Sequence, residues 1–137
     1  MSQRIECRHE GLRVTVPVLI LNPSPSTSFD GVQGRALLDT GSTTTGITTR
    51  LAHQLGLVAR GKKPIGSAQG EGQAERYLFR VGLHGEGKTP TLPYVFDDVI
   101  GFELVNSFRF EALIGMDVIS QCNLEMTRNG ICTLEFG

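Results

Sequence analysis

Leu37-Leu38-Asp39-Thr40-Gly41-Ser42 carries the strongest structural signal in this chain. The apolar run that starts at Arg35 predicts a short buried β-strand, and Asp39 stands where that strand ends. The residues that follow, as far as Gly46, are small or carry hydroxyl groups, which predicts a tight loop. The sequence therefore places a carboxylate at the junction of an apolar strand and a turn.

The surroundings of Asp39 suit acid–base chemistry. Burial by the strand would desolvate the carboxylate and favour its neutral form. Gly41 lets the chain turn and brings an amide N–H close to the acid, and Ser42 can donate a second hydrogen bond to it. Thr40 supplies a hydroxyl that can bond the backbone of a symmetric neighbour. If a second carboxylate lies about 3 Å away, the two acids share one proton, so that one activates water while the other polarises a carbonyl.

The rest of the chain predicts a mainly β fold with one or two short helices. Apolar and β-branched residues mark strands at 12–21, 77–83, 91–96, 108–114 and 131–136. Pro17 cannot donate to a ladder, so the first of these strands should be an edge strand or carry a bulge. Loop-forming residues fill 22–31. The glycine-spaced segment 62–72, followed by the strand at 77–83, predicts a β-hairpin with a mobile tip.

Two short helices are predicted. The first covers residues 50–55, is capped by Thr48 or Thr49, and ends at Gly56. The second covers residues 115–122. No apolar run approaches the roughly 20 residues that span a bilayer, so the sequence gives no membrane span.

Composition excludes several partners. The chain has 137 residues and a net charge of -1, which gives no reason to expect nucleic acid or an anionic membrane as a partner. The first ten residues are polar and charged, so we expect no secretory signal there. Three cysteines without metal-type spacing predict reduced thiols in a cytoplasmic protein: Cys7, Cys122 and Cys132.

Two motifs resemble the retroviral-type (retropepsin-like) aspartic proteases, in particular their small bacterial members. Ala36-Leu37-Leu38-Asp39-Thr40-Gly41-Ser42 matches the active-site loop of that family. About 75 residues later, Ala112-Leu113-Ile114-Gly115-Met116-Asp117 resembles its second motif, a strand behind the loop followed by a helix. The resemblance implies a mainly β, retropepsin-like acid protease barrel, with one lobe per chain and a single domain over residues 1–137.

The resemblance also implies roles for particular residues. Asp39 would be catalytic, with Thr40, Gly41 and Ser42 as its supporting loop, and Asp117 would be a structural acid at a helix start. The segment at 65–70 is similar to the flap that closes over substrate. That flap consists of Gly66, Ser67, Ala68, Gln69 and Gly70. The enzyme would need no metal and no cofactor.

A single copy of the active-site motif predicts a homodimer. No other Asp precedes Thr-Gly or Ser-Gly, so one chain must borrow its second carboxylate, and a twofold axis brings Asp39 against its own copy. The last strand, 131–136, is our candidate for the dimer interface. The function implied is an aspartic endopeptidase that acts on peptides or proteins. The alternative is a catalytically silent module of the same fold that dimerises or binds peptides.

Other chemistries have weaker support in the sequence. Asp97 and Asp98 are read as solvated loop acids. The three histidines are scattered and have no ligand-type spacing to one another or to cysteine. Ser42 lacks the flanking pattern of a nucleophile elbow, and the cysteines are more typical of core thiols than of nucleophiles.

Overall fold

The computed structural model describes residues 2–67, 70–85, 92–105 and 109–137. Ten strands dominate these ranges: β1 (Gln3–Arg8), β2 (Thr15–Leu21), β3 (Gly31–Leu38), β4 (Gly46–Thr48), β5 (Lys62–Ser67), β6 (Gly70–Leu83), β7 (Tyr94–Leu104), β8 (Ala112–Ile114), β9 (Asn123–Met126) and β10 (Ile131–Phe136). Two short helices accompany them, α1 (Thr49–Leu55) and α2 (Met116–Ile119). The predicted mainly β class is confirmed. Neither helix has the length and apolar character needed to cross a membrane.

Six strands close into a barrel. They hydrogen-bond in the order β2-β3-β8-β4-β7-β6, and β2 also pairs with β6, which closes the ring. Among the described residues, β5 pairs only with β6 and extends the sheet as an antiparallel hairpin. Alternate side chains along the strands fill the barrel with an apolar core that includes Val16, Ile20, Phe79 and Val81.

The strand that contains Pro17 is an edge strand at that residue, as predicted. Residues 19–21 of β2 pair with both neighbouring strands, whereas Pro17 lies in the part that pairs only with β3, opposite Arg35. One side of the strand is therefore an edge at Pro17, and the missing N–H removes no ladder hydrogen bond.

A second, three-stranded sheet has the order β1-β10-β9. The bounds of β10 agree with the prediction, but β1 and β9 were not predicted. Along β1, polar residues alternate with Ile5 and Cys7. The face of the strand that carries Ile5 and Cys7 is shielded from solvent, and the opposite face is exposed. Because β10 lies between its two neighbours, both of its edges are already paired within the chain. We predicted β10 as the interface strand, but with both edges paired it can contact a partner only through its side chains. In the described part of the chain, β1 and β9 each keep one edge open for backbone hydrogen bonds.

The first helix follows its local signals. The Thr48 side chain caps α1 by accepting a hydrogen bond from the Leu51 amide at 3.3 Å. Gly56 ends the helix in the left-handed region, at φ 68°, which a residue without a Cβ adopts at low cost. The second helix is shorter than the predicted 115–122, because regular helical structure covers only α2.

The segment before the second motif differs most from prediction. β7 extends to Leu104, well beyond the predicted 91–96, while the predicted strand at 108–114 is reduced to β8, with residue 108 outside the described ranges. Asp97 and Asp98 lie inside β7, so their assignment to a loop was wrong. Both are exposed, and the pairing with β6 shifts register opposite them, between Phe79 and Val81. This irregularity explains how a strand accommodates two consecutive acids.

Candidate active site

The two sequence motifs are paired side by side in the barrel. β3 and β8 run parallel, with Leu37 opposite Leu113 and Leu38 opposite Ile114. The Asp39 amide continues this ladder by donating to the Ile114 carbonyl at 2.9 Å. This hydrogen bond to the paired strand leaves the backbone of Asp39 little freedom. The second motif, which contains Ile114, therefore helps to fix the position of Asp39.

The loop after Asp39 rests on the start of α2. The Met116 amide donates to the Ser42 carbonyl at 2.7 Å, and the Asp117 amide donates to the Thr43 carbonyl at 3.2 Å. Gly115 makes this approach possible, because a Cβ there would lie 2.7 Å from the Thr44 carbonyl group. The first N–H groups of a helix have no partners within the helix, and here the loop carbonyls accept two of them.

Hydrogen bonds between Asp117 and Thr45 also hold this loop in place. The Asp117 carboxylate accepts from the Thr45 hydroxyl at 2.7 Å, from the Thr45 amide at 3.0 Å and from the Val118 amide at 2.9 Å. The Thr45 hydroxyl also accepts from the Gly115 amide at 3.2 Å. Asp117 thus has the contacts of the predicted structural acid. Thr45, which is fully buried, was missed, because nothing distinguishes it from its hydroxyl-bearing neighbours in the sequence.

The Asp39 side chain makes one of the two predicted hydrogen bonds. Its Oδ1 accepts from the Gly41 amide at 2.9 Å. The Ser42 hydroxyl instead donates to the Thr44 carbonyl at 2.7 Å, so its predicted bond to the carboxylate was wrong. That hydroxyl satisfies a carbonyl within the tight turn rather than the acid. Asp39 is only partly buried in the single chain, so the full desolvation we expected is not present there.

The Asp39 carboxylate stands at the wall of an open cavity of about 330 Å³. Apolar side chains from β3 and β9 form much of that wall, among them Leu38, Leu124 and Met126. Leu12 also lines the cavity and is 90% exposed, at a φ of 64° that non-glycine residues rarely adopt. Thr40 lies at the same wall, and its hydroxyl has no hydrogen-bond partner among the described residues.

The predicted flap falls on the β5–β6 hairpin. The two strands pair from Lys62 opposite Glu75 to Ser67 opposite Gly70. Gly66, Ser67 and Gly70 therefore belong to the end of the hairpin, while Ala68 and Gln69 lie outside the described residues. The predicted hairpin is present, and its role in substrate binding stays a prediction.

Cys122 and Cys132 are poorly suited to nucleophilic catalysis. Burial raises the pKa of the Cys122 thiol from 9.0 to about 11. Burial also raises the pKa of Cys132, although a hydrogen bond with Cys7 partly opposes the effect. A raised pKa leaves very little thiolate at neutral pH, and the thiolate is the reactive form. None of the three cysteines forms a disulfide within the described ranges.

Arg80 is a buried residue that sequence reasoning missed. Its side chain is 2% exposed, and its guanidinium donates four hydrogen bonds to the loop at 22–28. The accepting carbonyls are those of Asn22, Pro25, Ser26 and Ser28, at 2.6–3.1 Å. The cation therefore organises the loop between β2 and β3.

The chain is similar to known aspartic proteases in part of its sequence and in its fold. The sequence model of the aspartyl protease family matches residues 26–90, a segment that contains Asp39. No curated protein matches the chain. The crystal structure of a retropepsin-like aspartic protease from Rickettsia conorii is similar over 99% of this chain and 93% of that chain, with a TM-score of 0.69 and 13% sequence identity. The EIAV protease complexed with the inhibitor HBY-793 matches 82% of this chain and 91% of that chain, with a TM-score of 0.47 and 19% identity. The resemblance predicted from the two motifs is confirmed.

Proposed function

Because the chain is similar in sequence to aspartyl proteases and has the retropepsin-like fold, we propose that it is one protomer of a homodimeric aspartic endopeptidase. The observation that carries this proposal is the placement of Asp39. Two motifs about 75 residues apart in sequence hold it at the end of a buried strand, with its carboxylate on an open cavity. The proposed domain covers residues 1–137.

The proposed reaction needs two carboxylates and one water. Two acids close together share a proton, so one can take a proton from the water while the other donates a hydrogen bond to the scissile carbonyl. The activated water adds to that carbonyl carbon, and the C–N bond breaks once the amine nitrogen has received a proton. The Gly41 amide, 2.9 Å from Oδ1, holds the carboxylate in place during these transfers.

The second carboxylate is proposed to come from a second copy of the chain. Asp39 and Thr40 are accessible at the cavity wall, beside the exposed apolar side chains of Leu12 and Met126. Burying such side chains against a twofold-related copy is favourable, and it would complete the site at the same time. The open edges of β1 and β9 offer additional backbone donors and acceptors to that copy.

The β5–β6 hairpin is proposed as the flap over a peptide or protein substrate. In the described ranges the hairpin joins the barrel through β6, which pairs with both β5 and β7, and its proposed role is to close over a bound chain. A reducing compartment such as the cytoplasm is proposed, because it suits cysteines that form no disulfide in the described part of the chain. The proposed chemistry uses no metal and no cofactor.

Peptide hydrolysis tests the proposal. Wild type and Asp39→Asn are compared on a mixed set of fluorogenic peptides from acidic to neutral pH, after circular dichroism has shown that both fold. We expect the substitution to lower kcat/KM by roughly 100- to 10,000-fold, the usual contribution of an acid–base group. A chelator should leave the wild-type rate unchanged. Undiminished hydrolysis by Asp39→Asn would contradict the proposal, and peptide binding without turnover by wild type would favour the silent-module alternative.

A further inference from the structure

A second cavity, of about 230 Å³, lies between the base of the β5–β6 hairpin, β7 and the catalytic loop. It combines two cations with apolar side chains. Its wall includes Thr44, Lys63, Ala74, Arg76, Ile100 and Phe102. Because Thr44 belongs to the loop that begins at Asp39, this cavity borders the candidate active site from the side of the hairpin.

Strand register explains why both cations face this cavity. Lys63 pairs with Ala74, and Arg76 pairs with Phe102. Side chains two residues apart on a strand share a face, and directly paired residues do so too. The same alternation turns Glu75 to the opposite face, together with the buried Tyr77.

The nearby acids, Glu75 and Glu103, lie on that opposite face. Glu103 accepts a hydrogen bond from the Glu75 amide at 3.1 Å. Burial raises the pKa of Tyr77, and the charges of Glu103 and Glu75 raise it further. No acidic residue is among the described residues that line the cavity. Within the described lining, the positive charges of Lys63 and Arg76 therefore have no acidic counterpart.

Arg76 also has an unused donor. Its Nη2 donates to the Arg60 carbonyl at 3.3 Å, whereas its Nε is buried and has no partner among the described residues. A buried N–H without an acceptor is unfavourable. A carboxylate is the acceptor that suits a guanidinium and an ammonium group together, since it offers two oxygens to charged donors.

We infer that this cavity is a cationic subsite that binds an acidic side chain, Glu or Asp, of the peptide substrate. The inference rests on the proposed function, because it is the active-site cleft that would bring a peptide past Thr44. Ile100 and Phe102 would pack against the methylene groups of that side chain, while Lys63 and Arg76 bind its carboxylate.

Binding to the Asp39→Asn protein tests the inference without requiring hydrolysis. The probes are fluorescein-labelled peptides of one neutral sequence in which a single Glu, or a single Gln, is moved through successive positions. At one position, or at neighbouring ones, we expect Glu to bind about threefold to tenfold more tightly than Gln. The preference should shrink as salt is raised, because the cavity is open and its charges are screened.

Matched variants locate the effect. Lys63→Met, in the Asp39→Asn background, keeps the aliphatic stem and should remove most of the Glu preference. Lys62→Met removes the same charge from the neighbouring residue, which pairs with Glu75 on the opposite face, and should keep the preference. Lys63→Glu should shift the preference toward a peptide that carries Lys at the same position.

The outcomes separate this inference from the proposed function. Equal binding of Glu and Gln peptides at every position overturns the subsite, and so does binding of no peptide in the set. Equal losses for Lys62→Met and Lys63→Met also overturn it, because they would reflect net charge alone. A retained Glu preference with no hydrolysis by wild type supports the subsite and contradicts only the proposed enzyme.

Discussion

Replacing Thr45 by Val should loosen the loop that carries Asp39. Val has nearly the shape of Thr, so the fully buried site keeps its packing and loses only the hydroxyl. That hydroxyl donates to the Asp117 carboxylate at 2.7 Å and accepts from the Gly115 amide at 3.2 Å. The substitution therefore removes one hydrogen bond to a carboxylate and leaves a buried N–H without an acceptor.

The expected loss in the free energy of unfolding follows from these two contacts. A hydrogen bond to a charged group contributes about 1.5–3 kcal/mol, and an unsatisfied buried donor costs about 1–3 kcal/mol. The total loss should be smaller than the largest sum of these two contributions, because Asp117 keeps its hydrogen bonds from the Thr45 and Val118 amides. We therefore expect a total loss of about 3 kcal/mol. Activity should fall as well, since Asp117 and Thr45 hold the loop that begins at Asp39.

Urea unfolding followed by circular dichroism measures this loss, with the m-value as a check on two-state behaviour. Thr43→Val is the matched control. The Thr43 side chain is exposed, and the one contact of its hydroxyl is a 3.4 Å approach to the Thr44 hydroxyl. The control should change stability by less than about 0.5 kcal/mol. If Thr45→Val also changes the free energy of unfolding by less than about 0.5 kcal/mol, the hydrogen bonds of the Thr45 hydroxyl do not stabilise the fold and the reasoning fails.

Three further substitutions test other parts of the structure. Arg80→Met should lower the free energy of unfolding by about 3 kcal/mol or more, because four carbonyls of the loop at 22–28 lose their donors. Urea unfolding measures this loss, and hydrogen exchange should become faster in that loop. Gly115→Ala should cost about 1–3 kcal/mol in urea unfolding, because the new Cβ meets the Thr44 backbone at 2.7 Å. Burial raises the pKa of the Cys122 thiol from 9.0 to about 11, so the contribution of the neutral thiol to stability is lost as pH rises from the lower to the higher value. Cys122→Ala should therefore flatten the alkaline decline of the unfolding midpoint, and an unchanged decline would contradict the burial of this thiol.

Local signals predicted the parts of the fold that depend on few residues. A threonine before an apolar-periodic segment and a glycine after it are enough to bound α1, and alternation alone gives the limits of β10. The position of Asp39 at the end of a strand follows in the same way, from an apolar run that stops at a turn.

The remaining features depend on contacts between distant segments. Thr45 differs from its neighbours only because Asp117, 72 residues away in sequence, accepts its hydrogen bonds. Arg80 occupies a strand position that alternation alone reads as exposed, and only the overlying loop at 22–28 buries it. β1 reads as polar because its outer face is exposed, and its strand conformation comes from pairing with β10, at the other end of the chain.

Mixing wild-type and Asp39→Asn chains is the most direct test of the proposal that two chains share one Asp39 site. Wild-type chains at a fixed concentration receive a large excess of Asp39→Asn chains, and size measurements show that mixed dimers form. Each mixed dimer has one carboxylate and one amide, so it lacks the second acid that the proton transfer requires. Activity should fall far below that of wild type alone, and dilution of wild type should lower activity per chain by mass action. Activity that is unchanged by excess Asp39→Asn, while mixed dimers are present, would show that each chain carries a complete site and would contradict the paired-carboxylate mechanism.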